Sequence, residues 1–242
     1  MKGRISFFCT LLCLPFLIIP AYTQEVREEA GVEKEKTIEE LYLQSIEIKI
    51  IMEQAQSESR EMKLLALQNI KNMIESGDLS TGSPEAHYVL DYLSQEGITR
   101  EIREGGRRLV NYYPDIRREA CSLLGDLGGE NSRATLLRVL AQDIEPMVKA
   151  EAAYALGKIG EDENGEVARA LANVILSQDN RTSPDNNLAF AVCLAIEKLA
   201  KANNGINNES VFRALIEISQ GSYIKAVRTK ANSVLDELRN YR

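Results

Sequence analysis

Apolar residues recur at helical spacing through most of the chain, most clearly between Pro146 and Gly160. There Val148, Ala152, Ala155, Leu156 and Ile159 follow one another at steps of four, three, one and three, which places them on one stripe of a 3.6-residue helix. Pro146 suits the first turn, where a missing N–H costs nothing, and Gly160 suits the left-handed cap that ends a helix. Gly157 lies inside the helix, at a cost of about 1 kcal/mol relative to alanine. Its expected use is to let a neighbouring helix come close.

The same pattern returns elsewhere. Shifted 32 residues towards the N-terminus, Pro114 to Gly128 repeats the proline, the cation, the glutamate, Ala120, Leu124, Gly125 and the final glycine. Shifted 40 residues the other way, Leu188 to Ala200 keeps the apolar stripe and loses the glycines. Further copies run through Val227, Ala231, Val234, Leu235 and Leu238, and more loosely through Met62, Leu65, Ala66, Ile70 and Met73. After short Gly- or Asn-containing turns, second amphipathic helices carry Leu136 and Leu140, Leu171 and Ile175, and Leu215 and Ile218. Helix pairs at periods of 32 to 40 residues predict an all-α solenoid. About four pairs are expected, capped by helices over 37–56 and 224–240. The N-terminal cap begins at the capping-box sequence Thr37-Ile38-Glu39-Glu40 and carries Ile38, Leu41, Ile46, Ile48 and Ile51.

The pattern Val/Ile-Arg/Lys-x-x-Ala-x-x-x-Leu-Gly-x-Ile/Leu-Gly resembles HEAT repeats, in the short form first associated with phycobilisome lyases. The resemblance covers about residues 59–242 and is sharpest in the two middle copies. It implies a right-handed α–α superhelix with the first helix of each pair outside and the second inside, built around Leu124, Gly125, Val148, Ala152, Leu156, Gly157 and Ile159. It also implies a scaffold that holds a protein partner on its concave face or edge loops. It does not by itself imply lyase activity, because such a scaffold serves many functions.

The N-terminal segment follows another pattern. Lys2 and Arg4 precede an apolar run from Ile5 to Ile19, and Ala21 and Thr23 supply small residues for a peptidase. Residues 1–23 therefore read as a secretory signal peptide, since the run is short of the ~20 residues that span a bilayer. Periplasmic or extracellular localisation is expected, with no membrane-spanning segment after cleavage. Residues 24–36, rich in Glu and Lys, read as an acidic flexible tether.

Charge and candidate chemistry narrow the function. The chain has a formal net charge of −7, and losing Lys2 and Arg4 would carry it to −9, which speaks against nucleic acid as a partner. Cys121 and Cys193 occupy one repeat slot two repeats apart, roughly 20 Å by helix-packing distances, far beyond disulfide reach. They are expected as buried free thiols. His87 is the chain's one histidine. It is expected on the surface, and no multi-histidine metal site, nucleophile elbow or phosphate loop accompanies it. No catalytic residue, metal or cofactor is assigned; a lyase-like or other enzyme built on the repeats is the alternative.

Residues 98–113 fit the repeat least, and Gly105 and Gly106 there stand among Arg100, Arg103, Arg107 and Arg108. Arg103, Arg107 and Arg108 are the candidate anion or partner site, because guanidinium forks and backbone N–H groups suit carboxylate or phosphate. Pairing with Glu101 and Glu104 is the plainer use of these arginines. Tyr112 and Tyr113 are expected to pack. Arg133, Arg169 and Arg213 follow Glu130, Glu166 and Glu209 at ion-pair spacing. Arg138, Asn173 and Glu217 form a mixed polar row expected on the concave face.

Overall fold

The structure is a computed structural model that describes residues 37–178 and 184–241. The expected signal peptide, with Cys9 and Cys13 in its apolar run, and the expected tether lie outside the described residues. Within these bounds the chain folds as an all-α solenoid of ten helices. They are α1 (Ile38–Gln56), α2 (Arg60–Glu75), α3 (Pro84–Ser94), α4 (Pro114–Leu127), α5 (Gly129–Gln142), α6 (Pro146–Ile159), α7 (Glu166–Leu176), α8 (Asn186–Ala202), α9 (Glu209–Gln220) and α10 (Lys225–Arg239). A small hairpin, β1 (Arg103–Glu104) paired antiparallel with β2 (Arg108–Leu109), interrupts the helices in the segment that fits the repeat least.

Local chemistry sets the helix starts. Proline opens α3, α4 and α6, where it removes no helical hydrogen bond. Asp185 caps α8 by accepting from the Leu188 N–H at 2.8 Å, and Asn208 caps α9 by accepting from Ser210 at 3.0 Å. The helices alternate between two layers: α2, α4, α6, α8 and α10 stack in order in one, and α1, α3, α5, α7 and α9 in the other. One core runs between the layers from Ile48 to Leu238. The repeat residues Leu124, Val148, Ala152 and Leu156 are buried in it, and Ile159 is partly buried.

Two glycines set the closest approach in the first layer. A Cβ on Gly157 would lie 2.5 Å from the Ala195 Cα of α8, and one on Gly125 would lie 2.8 Å from the Ala155 Cβ of α6. The backbones meet where the glycines let them. Cys121 and Cys193 are buried free thiols, and burial pushes both up, Cys193 to about 12.

Several expectations need correction. Of the stripe assigned to the N-terminal cap, only Ile48 and Ile51 are buried; Ile38 is 88% exposed and Leu41 52%. The helix is apolar on two faces, and Tyr42, Leu43, Ile46 and Ile50 lie on the face turned away from Ile48, Ile51 and Ala55. Arg133 does pair with Glu130, at 3.7 Å, and reaches across to Glu166 of the next repeat at 3.5 Å. Arg169 and Arg213 form no ion pair with Glu166 or Glu209 among the described residues. His87 is half-buried and bonds through Nε2 to the Thr135 hydroxyl at 3.1 Å.

Candidate functional site

The three arginines Arg103, Arg107 and Arg108 are brought together on the hairpin. Glu104 stands opposite Arg108 in the register of the two strands, and Gly105 and Gly106 turn the chain with φ of +59° and +78°. Nothing crowds either glycine, so it is the left-handed backbone and not space that asks for glycine there. Arg103 is occupied: it forms an ion pair with Glu101 at 2.6 Å and donates to the Arg107 carbonyl at 3.0 Å. Arg100 stacks on the Tyr92 ring at 4.3 Å. Arg107 and Arg108 are exposed and have no ion-pair partner among the described residues. The plainer use of the arginines holds for Arg103 and leaves two guanidinium groups facing solvent.

The base of the hairpin is fixed by a buried polar network. Arg117 of α4, fully buried, donates to the Asp143 carboxylate from Nε at 2.7 Å and from a terminal nitrogen at 3.2 Å. Its other terminal nitrogen donates to the Glu96 carbonyl at 2.9 Å. The Glu96 carboxylate, 1% exposed, accepts from Lys63 Nζ at 3.1 Å and from Asn111 Nδ2 at 2.8 Å. Lys63 also donates to the Ala55 carbonyl at 2.9 Å, satisfying an orphan acceptor at the end of α1.

Asn111 ties the two ends of the segment together by donating to the Arg100 carbonyl at 2.5 Å while its Oδ1 accepts from the Ile102 N–H at 2.8 Å. Gly97, with φ +74°, lies where the ends cross; a Cβ there would meet the Asn111 carbonyl oxygen at 2.5 Å. Tyr112 lies against the Arg117 guanidinium at 4.9 Å and donates to Glu145 at 2.5 Å. Burial and that bond raise its pKa. Burial works against the charge of Arg117, but the hydrogen bonds and field of Asp143 outweigh it and hold the guanidinium above its ordinary pKa. A network of this kind stabilises little relative to an apolar core, but leaving one member unpaired costs several kcal/mol, so it locks one geometry.

Repeat periodicity did not single out Lys63, Glu96, Asn111, Arg117 or Asp143. Lys63 and Arg117 stand in the cation slot of the repeat, whereas their partners lie in irregular segments between helices.

A second polar group lies on α3 and α5. The Thr135 hydroxyl donates to Asp91 at 2.8 Å, which leaves it to accept from His87 Nε2. Asp91 therefore meets the hydroxyl and not the imidazole, and the histidine acts as donor. That wiring is the reverse of a nucleophile activated by a histidine base. Arg138 pairs with the same Asp91 and is exposed, as are Asn173 and Glu217 on the next helices of that layer.

A family model described as HEAT repeats matches residues 108–183, the part of the chain that holds α4 to α7. Over these residues the chain is similar to HEAT repeats. The two-layer stacking continues on both sides of the matched residues, from α2 to α10 in one layer and α1 to α9 in the other. No curated protein matches the chain. No described helix is long and apolar enough to cross a membrane.

Proposed function

We propose that this HEAT-repeat protein is a non-catalytic interaction scaffold, exported to the cell envelope, that binds an acidic segment of a protein partner through Arg107 and Arg108. The observation that carries the reading is the pairing of an anchored base with an unengaged tip. Side chains held at Arg117, Glu96 and Asn111 give the hairpin one position, and the two exposed guanidinium groups offer ten N–H donors suited to carboxylates. HEAT repeats commonly serve protein interaction, and the exposed row of Arg138, Asn173 and Glu217 supplies a further polar surface. Export rests on Lys2, Arg4, the apolar run to Ile19 and the small residues Ala21 and Thr23.

The test is retention of envelope proteins from the native host by the immobilised chain, with Arg103→Ala/Arg107→Ala/Arg108→Ala alongside. The proposal expects a retained acidic partner that is lost in the variant and eluted by salt. A partner retained equally by the variant would move recognition to the row at Arg138. No retained partner would overturn the scaffold reading. Mass analysis of the protein recovered from the envelope fraction tests export, and an intact N-terminus in the cytosol would refute it.

A further inference from the structure

The two ends of the stack are unlike, and each lacks what the other presents. Helices alternate between layers, so the position after α10 belongs to the layer of α1, and the position before α1 belongs to the layer of α10. At the C-terminal end the repeat slots that face an onward neighbour are open. Ala168 and Ala172 of α7 are fully buried, but Ile216, which takes the Ala172 slot in α9, is 44% exposed. Leu124, Leu156 and Ile196 occupy one slot and are at most 1% exposed, but Leu235 of α10, in the same slot, is only partly buried. Ile216 and Leu235 line a groove of about 400 Å³ between α9 and α10, with Arg239 and Glu209 among its lining residues.

The N-terminal end carries the complement. The face of α1 turned away from the core exposes Tyr42 (65%), Leu43 (57%), Ile46 (36%) and Ile50 (51%). A solenoid end that meets only water carries a polar outer face, and an apolar one marks an interaction surface. Charge is also complementary. Helix α1 holds Glu39, Glu40, Glu47 and Glu53 against Lys49, whereas α9 and α10 together hold Arg213, Lys225, Arg228, Lys230 and Arg239 against Glu209, Glu217, Asp236 and Glu237. Pairing two α1 faces would oppose like charges, whereas pairing α1 with the α9–α10 end brings opposite ones together.

We infer that the α1 helix of a second copy of this chain docks in the groove between α9 and α10, so that copies join head to tail and continue the two-layer stack. This does not depend on the arginine hairpin. A contact of this heterologous kind does not close on itself by a two-fold axis and grows into open chains or a ring.

Sedimentation velocity on the full chain tests it. The wild type should gain mass as concentration rises from micromolar to millimolar, and less so at high salt. Ile46→Asp and Ile216→Asp, both at partly exposed positions, should each be monomeric alone, because one end of every copy is blocked. Their equimolar mixture should form a dimer and stop there, since each dimer keeps only blocked ends. A wild type that stays monomeric throughout overturns the proposal whatever the variants do. So does a mixture of folded variants, checked by circular dichroism, that remains monomeric. Loss of association in Ile46→Asp with none in Ile216→Asp would also overturn it, leaving α1 to residues 1–36, another α1 or a different protein.

Discussion

Gly157→Ala tests the packing of the first layer most directly. The new Cβ would stand 2.5 Å from the Ala195 Cα and 3.0 Å from the Ala195 carbonyl oxygen, against about 3.5–4.0 Å for a relaxed carbon contact. The obstacle is backbone, so no side chain can swing aside, and α6 and α8 must separate by roughly 1 Å. Overpacking of this sort costs about 1–3 kcal/mol, and a backbone obstacle belongs at the upper end. Alanine in a helix interior returns about 1 kcal/mol, leaving a net loss of about 2 kcal/mol. For a chain of this size that lowers Tm by roughly 4–8 °C. Equilibrium urea unfolding followed by far-ultraviolet circular dichroism gives the free energy independently. A variant as stable as the wild type, or more so, would refute the close-approach argument, because propensity alone predicts a gain. Gly125→Ala should lose less, and Ala155→Gly in that background should restore part of the loss, since a methyl group forms much of the obstacle there.

Other perturbations separate the remaining forces. Arg117→Met leaves the Asp143 carboxylate buried without its partner and should cost about 3–5 kcal/mol; it should also expose Arg103, Arg107 and Arg108 to faster trypsin cleavage, and unchanged cleavage would mean that the network does not anchor the hairpin. Glu151 and Glu197 should respond to pH with opposite sign. Burial raises the pKa of Glu151 above its ordinary 4.5, so its contribution to stability falls as pH rises through that window, and Glu151→Gln should be stabilising at neutral pH with no effect in acid. At Glu197 burial is outweighed by Lys230 and Lys201 and the pKa is lowered, so its contribution is present above about 4.5 and lost as pH falls through the lowered value. Glu197→Gln should destabilise by up to about 1 kcal/mol at neutral pH, and thermal melts across pH check both. Ala152→Asp puts a charge at a fully buried position and should cost several kcal/mol; a melting temperature equal to wild type would mean the repeat register is wrong.

The solenoid was legible because its determinants are local and recur. Gly125 and Gly157, the prolines at 114 and 146 and the alanine slot each report a packing distance or a helix start from one position. The cap was legible as a helix and not as a surface: with apolar residues on both faces of α1, periodicity cannot say whether Ile48 or Ile46 is turned inward. The hairpin network was hidden for a different reason. Glu96, Asn111 and Asp143 are acceptors and donors in segments without a period, and what gives them partners is the crossing of chain at Gly97, a tertiary fact. His87 joined a polar group with Thr135 for the same reason, its partner lying 48 positions away.

The spacing within the first layer also sets how the molecule yields under load. Between α4, α6 and α8 the backbones meet directly through Gly125 and Gly157, and the pairing of Lys158 with Asp126 and the stacking of Lys198 on Tyr154 only flank those contacts. Between α8 and α10 the glycine slot holds Glu197, which reaches Lys230 at 2.6 Å, while Lys201 reaches Glu237 at 3.5 Å. That joint is made of long, partly solvated arms whose attraction salt can weaken. The α8–α10 joint is therefore the more compliant of the two, and ionic strength softens it more than the joints in which two glycines bring the backbones together.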